Sequence, residues 1–340
     1  YMASAAQKRI KSISYAKYGY MFIAPFFLVY CFFQLWPLIN TFILAFYGNG
    51  KTQTDFVGMA NFQAILMGGG FAEKAIQMKF SKAIVTTIIL WFGNFIPQIL
   101  LSLILAAWFT DAKLKIRGKG FFKVVMYLPN IITAASVAAL YVSLFGDTKY
   151  GAVNSLLIGA GLISSPIKFV TNTAWARGLT MFIQTWLWFG NTMIMLMSGI
   201  MGINPSLFEA ADIDGASSTQ QFFKVTLPLL KPIMVYTLIT SMIGGLQMFD
   251  IPYLFHETVD VTESLRTVAV FVYENFHTAP SQANYGYSAA ASVILFFITA
   301  VLGSFCFYMN RDKDEIARKK KNKEAKKRLA EIQAAKKEAM

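Results

Sequence analysis

Six long stretches of this chain contain no Asp, Glu, Lys or Arg: residues 18–50, 83–110, 124–146, 178–208, 232–249 and 275–310. A helix that crosses a bilayer needs about 20 mostly apolar residues, so each stretch is a candidate crossing. The fifth is short, but residues 251–255 extend it past Asp250. Backbone inside hydrocarbon must satisfy its own hydrogen bonds, so the crossings are expected to be helices. A soluble globule is excluded, because charged residues are only 14% of the 340 and hydrophobic ones 56%, too few charges to solvate a surface of that size. Disorder is excluded on the same ground, and two cysteines exclude a disulfide-stapled domain. A seventh charge-free stretch, 150–167, is rich in Gly and Ser and holds Asn154; it reads as a short loop helix at the membrane interface. Tyr1 stands before Met2, so Met2 is taken as the start. No cleavable leader is expected, because the first apolar stretch outruns a signal-peptide core and no A-x-A-like site closes it.

The net charge of +13 would suggest nucleic acid in a soluble chain. Here the basic residues fall on alternate connections. Lys8, Arg9, Lys11 and Lys17 precede the first stretch, and Lys113, Lys115, Arg117, Lys119 and Lys123 join the second and third. Lys224 and Lys231 join the fourth and fifth, and twelve follow the sixth. That side carries 23 of the 31 basic residues, which makes it cytoplasmic and puts both termini inside. The expected organisation is a cytoplasmic tail at 1–17, a membrane domain at 18–310 with a cytoplasmic loop at 204–232, and a basic tail at 311–340. The run 318–321 in that tail is basic enough to meet anionic lipid, although a topology anchor is the simpler reading.

A polytopic bundle can be a secondary transporter, a channel, an intramembrane enzyme or one part of a larger machine, and this chain offers little for an ion-coupled transporter to use. Asp250 is the one acid within the candidate spans, and His256 and His277 fall in outer connections, so there is no set of groups for a proton relay. The stretch Gly48-Asn49-Gly50-Lys51-Thr52 imitates the end of a phosphate-binding loop, but the required earlier Gly is Ala45 and no strand precedes it. Hydrolase and zinc-protease signatures are absent from the sequence. Cys31 and Cys306 lie in different spans and read as small buried hydrophobes.

The most informative segment is the loop 203–232. Asn204 can cap a helix with Pro205 at its first position. Leu207, Phe208, Ala210, Ala211 and Ile213 give it an apolar face, and Gly215 can end it. Ser218 and Gln221 then read as a capping box for a second short helix. Glu209-Ala210-Ala211, three residues, Gly215, nine residues and Val225-Thr226-Leu227-Pro228 resemble the EAA loop of ABC importer permeases, with Val225 where the family has Ile. Further stretches are similar to sugar-type permeases: Phe56-Val57-Gly58-Met59-Ala60-Asn61-Phe62, Leu128-Pro129, Asp212-Ile213-Asp214-Gly215-Ala216 and Tyr285-Gly286-Tyr287-Ser288-Ala289-Ala290. The resemblance covers roughly residues 20–310 and is to carbohydrate-uptake permeases of the maltose-transporter larger-subunit type. Those often carry Gly-Gly-Pro after the fifth span; here the loop reads His256-Glu257-Thr258-Val259-Asp260.

The resemblance implies an all-α polytopic membrane protein of six transmembrane helices with the type I ABC importer permease fold, in a bacterial cytoplasmic membrane. It implies no enzyme activity and no cofactor on this chain, since ATP and Mg would be bound by a partner ATPase dimer. Glu209, Ala210, Ala211, Asp214 and Gly215 would couple to that ATPase. A second homologous permease subunit and an extracellular or periplasmic solute-binding protein would complete the importer. Residues expected to line a sugar path are Asn130, Ala134, Gln184, Leu187, Trp188, Asn191, Ser241, Gly245, Gln247 and Met248, because pyranose rings present CH faces and OH rims to aromatic and polar side chains. Helix–helix packing competes with that role at each of them, and is the preferred reading for Trp91, Asn94 and Gln98. Import of another solute, a polyol or glycerol phosphate, is the same-fold alternative. A membrane enzyme or an assembly subunit is the different-class one.

Overall fold

The computed structural model describes residues 16–48, 55–111, 113–255, 258–277 and 284–309. The tail 1–15, the phosphate-loop imitation from Asn49 onward, His256 with Glu257, and the basic tail 311–340 lie outside the described residues. Helices α1 (Lys17–Leu44), α2 (Ala60–Leu66), α3 (Phe71–Thr110), α4 (Lys119–Tyr127), α5 (Ala134–Leu144), α6 (Ala152–Gly159) and α7 (Thr173–Met201) occupy the first part. Helices α8 (Pro205–Ile213), α9 (Ser218–Gln221), α10 (Lys231–Leu246), α11 (Asp250–Leu254), α12 (Val259–Leu265), α13 (Val268–His277) and α14 (Tyr285–Met309) follow. No strand occurs among the described residues; Tyr47 and Phe56 form one isolated antiparallel bridge. The chain divides into two units, Tyr1–Ser81 with Phe271–Ile294, and Lys82–Val270 with Leu295–Met340.

Among the described residues, four helical stretches are long and apolar enough to cross a membrane: α1, α3, Lys231–Leu254 and α14; the count is six if each of two bent pairs is one span. One bent pair is α7 with α8, turned by 72°. The 29 residues of α7 rise about 43 Å, so α7 alone exceeds the hydrocarbon thickness and α8 is a separate helix turned off its end. The other pair corrects the expectation of a continuous third helix at 124–146. Between Lys119–Ile131 and α5 the chain bends by 97°. Pro129 sits in a 3-10 turn over Leu128–Ile131 and Ile132 is extended with ψ 138°. Thr133 then caps α5 by accepting from the Ser136 N–H at 3.3 Å. The 11 residues of α5 rise only about 16 Å, so the third charge-free stretch is a broken element.

In the first unit, α1 has no buried residue and contains Pro25 and a π turn at Cys31–Leu35. Its end is finished by Asn61, whose Nδ2 donates to the carbonyls of Ala45 (2.9 Å) and Tyr47 (2.8 Å). Helix ends leave such carbonyls unpaired, which gives the Phe56–Phe62 motif a structural role.

In the second unit, lipid supplies no hydrophobic drive for helix association, so close packing and interhelical hydrogen bonds must hold the helices together. Ser102 Oγ donates to the Phe189 carbonyl (2.7 Å) and Thr185 Oγ1 to that of Asn94 (3.1 Å), joining α3 to α7. At Gly190 of α7 a β-carbon would lie 2.0 Å from the Met126 carbonyl oxygen, so only glycine lets α4 approach that closely. The expected loop helix in 150–167 is α6, and it does not span. Asn154, one of its residues, is fully buried, donating to the carbonyls of Gly146 and Ile167 (both 2.9 Å) and accepting from the Ile167 N–H.

Candidate functional site

Three helices of the second unit each turn a polar stripe at helical spacing toward one cavity. Helix α3 contributes Asn94 and Gln98, and α7 contributes Gln184, Trp188, Asn191, Thr192 and Met195. Helix α10 contributes Thr237, Thr240, Ser241, Gly244 and Gly245, and the turn Gln247–Asp250 closes one side. Spacings of three and four residues place each set on one helix face. The cavity holds about 270 Å³.

Of the ten residues expected to line a path, this cavity brings together Gln184, Trp188, Asn191, Ser241, Gly245, Gln247 and Met248. Asn130, Ala134 and Leu187 do not line it. Asn130 Nδ2 donates to the Leu187 carbonyl at 3.3 Å. The Leu187 side chain is buried in a core with Val137, Tyr141 and Ile183, and Ala134 packs against it. These three lie where α5 and the 3-10 turn meet α7. Asn94 and Gln98, expected to pack, do line the cavity. Their spacing, one turn apart and one turn beyond Trp91, was the available signal. Gln98 serves both ends, since its Nε2 also donates to Thr192 Oγ1 at 2.7 Å. Trp91 Nε1 donates to Ser241 Oγ at 3.3 Å. Trp188 is 48% exposed, leaving its indole available to a ligand.

Beyond the end of α7, Asn204 Oδ1 accepts from the Ser206 N–H (3.1 Å) and Pro205 opens α8. Asp214 is its last cap and Gly215 adopts φ +72°. That left-handed turn brings the Ala216 N–H to the Ala211 carbonyl at 2.9 Å, closing the helix end. Glu209, Ala210, Asp214 and Gly215 are exposed and Ala211 is half-buried. Ile213, expected on the apolar face, is 87% exposed. The capping box is shifted one residue from the expected register. Ser217 and Gln220 form it, Gln220 Oε1 accepting from the Ser217 N–H at 2.8 Å. The sequence repeats the S-x-x-Q pattern at both registers, and use of the first releases Gln221. Its Nε2 donates instead to Asp212 Oδ1. Asp212 also receives Lys113 Nζ at 2.6 Å, from the connection between α3 and α4. These contacts, Lys113 foremost and then Gln221, hold the Asp212 carboxyl below the usual carboxylate range.

The arrangement is a polar cavity between membrane helices, with a capped, exposed helix on the chain that leaves one of its walls. Residues 64–313 match the family described as binding-protein-dependent transport system inner membrane component. A lactose transport system permease protein of Rhizobium radiobacter is 31% identical over 314 residues, 92% of this chain and 100% of the relative. An arabinooligosaccharides transport system permease protein of Bacillus subtilis is 28% identical over 302 residues, 88% of this chain and 91% of the relative. Among solved structures, a chain of a bacterial ABC transporter involved in import of the acidic polysaccharide alginate superposes with a TM-score of 0.73. It covers 89% of this chain and 98% of its own at 23% identity, and so speaks to fold. By family match and by near-complete coverage of its relatives, this chain belongs to the binding-protein-dependent transport system inner membrane components, the permease subunits of ABC importers.

Proposed function

We propose that this chain forms half of the translocation path for a sugar or oligosaccharide, in a bacterial cytoplasmic membrane, with both termini inside. A second, homologous permease would complete the path. A solute-binding protein would deliver cargo on the outer side, and a cytoplasmic ATPase dimer would bind ATP and Mg and supply the energy. The observation that carries the coupling role is α8, a nine-residue helix capped at both ends and exposed along Glu209, Ala210, Asp214 and Gly215. Two small alanines permit close approach of another backbone, and the exposed Ile213 offers an apolar contact.

The mechanism follows from what α8 is attached to. The short turn at Gly202–Asn204 joins it to α7, whose other residues include Gln184, Trp188 and Asn191 in the cavity wall. Lys113 ties it to the connection between α3 and α4, and Gln221 to the segment leading into α10. A partner that pushes α8 therefore moves the three helices that line the cavity. This is a two-state bundle biased by a partner's ligand. In the cavity, the Trp188 face and the amides of Gln184, Asn191 and Gln247 suit the CH and OH surfaces of a sugar. The names of the two relatives above, lactose and arabino-oligosaccharide permeases, support a carbohydrate.

The test is uptake of labelled lactose, arabinotriose and maltotriose by cells carrying the intact importer. Uptake of one of them should disappear when Glu209 and Gly215 are replaced together, with the permease still present in the membrane. Uptake that is unchanged by that replacement contradicts the coupling role.

A further inference from the structure

We propose that Asn94 contacts the cargo directly, and that this half of the path selects uncharged, hydroxyl-rich sugars over acidic sugars and phosphate esters. The inference rests on the sugar-path reading above and narrows it to a charge class. Asn94 is 5% exposed, it lines the cavity, and its Oδ1 has no hydrogen-bond partner. Its neighbours along α3 are engaged: Trp91 with Ser241, and Gln98 with Thr192. Thr185 bonds the main-chain carbonyl of Asn94 and leaves the side-chain oxygen as it is. A buried acceptor without a donor is unfavourable, the more so in low dielectric. The residue lines the cavity, and a turn of its amide toward that space lets an entering hydroxyl supply the missing donor.

Charge defines the class. Among the described lining residues there is one ionisable side chain, the carboxylate of Asp250, and no Lys, Arg or His. A sugar hydroxyl can donate both to Asn94 Oδ1 and to Asp250. A uronate or a phosphate meets no cation, is repelled by Asp250, and would be desolvated without a partner. The shared fold with an importer of an acidic polysaccharide does not decide this, because the charge of the cargo is read by side chains.

The test titrates the purified importer complex with lactose, arabinotriose, maltotriose and trigalacturonate, following tryptophan fluorescence, to which Trp188 in the cavity wall contributes. At least one neutral sugar should bind, with trigalacturonate at least tenfold weaker. Asn94→Ala should weaken the neutral sugar by about tenfold, the worth of one hydrogen bond. Asn94→Asp, which keeps an acceptor, should retain it, and Asp250→Asn should narrow the gap to the acid. Thermal melting of each variant complex identifies loss of fold. Trigalacturonate binding as well as or better than the neutral sugars, neutral binding unaffected by Asn94→Ala, or Asn94→Asp behaving like Asn94→Ala overturns the inference and leaves the sugar path standing. Failure of all four sugars to bind the folded complex overturns the sugar path itself.

Discussion

Lys113 Nζ stands 2.6 Å from Asp212 Oδ1, joining the connection between α3 and α4 to the exposed helix α8 across 99 residues of sequence. Both side chains are about half exposed, 52% and 47%, and such pairs contribute little to stability. The pair is better placed to transmit displacement than to hold the fold. Lys113→Ala and Asp212→Ala should each leave the melting temperature of the complex nearly unchanged while reducing sugar-stimulated ATP hydrolysis severalfold. Exchange of the two charges, Lys113→Asp with Asp212→Lys, should restore much of it. ATPase assays on the reconstituted complex check this.

The same contact sets a pH dependence. The Asp212 carboxyl is held below its ordinary value by Lys113 and Gln221. A depressed carboxylate favours folding above its unfolded value and loses that as pH falls through the folded one, but at an exposed pair the stability involved is small, so the titration itself is the readout. The carboxylate signal of Asp212, followed directly by titration in the parent and in Lys113→Ala, should therefore show the charged form persisting to lower pH in the parent, with both fully ionised from about pH 5 to 8. An Asp212 carboxyl that titrates at the same pH with and without Lys113 would contradict the assigned contact.

Gly190 makes a steric prediction. A β-carbon there would overlap the Met126 carbonyl oxygen, a backbone atom that has no rotamer to yield. Gly190→Ala should destabilise the permease by about 1–3 kcal/mol, the usual cost of overpacking. Gly178 lies on the same helix with nothing within 4 Å of its β-position. Gly178→Ala should be neutral or stabilising by up to about 1 kcal/mol. Thermal melts of the two variants side by side separate crowding from helix propensity.

Gln98 and Thr192 share a 2.7 Å hydrogen bond between buried side chains of α3 and α7. Thr192→Val leaves the Gln98 amide without that partner and should cost about 1–3 kcal/mol. The double replacement with Gln98→Leu should cost less than the sum of the singles, by about 0.6 kcal/mol or more for a bond between membrane helices. A double-mutant cycle in detergent melts measures the coupling.

Much of this architecture was legible in the sequence because lipid imposes a length and a composition on every crossing. Hydropathy, however, averages over a window and carries no axis direction. The stretch 124–146 reads as one span, although Pro129 and Thr133 together turn the chain through 97°. The caps of α8 were legible residue by residue, since Asn204, Pro205 and Gly215 each have a local backbone role. The following box was one residue off because S-x-x-Q occurs twice in succession. Polar residues inside the spans were the hardest. Asn130 and Asn94 look alike in sequence, yet the first bonds the Leu187 carbonyl while Asn94 Oδ1 is unpaired beside the cavity. The rotation of each helix about its own axis separates them, and a single sequence does not encode that rotation locally.

The account stands or falls on α8 as the element that meets the ATPase. The most direct measurement is site-directed cross-linking in the assembled importer, with Cys31 and Cys306 replaced by Ser and a single cysteine placed at Ala210 or, as a control, at the exposed Phe305 of α14. A short bifunctional reagent should join position 210 to the ATPase subunit, and ATP should change the yield, while position 305 should give no such product. An intact complex in which position 210 never cross-links to the ATPase, with or without ATP, would contradict the account.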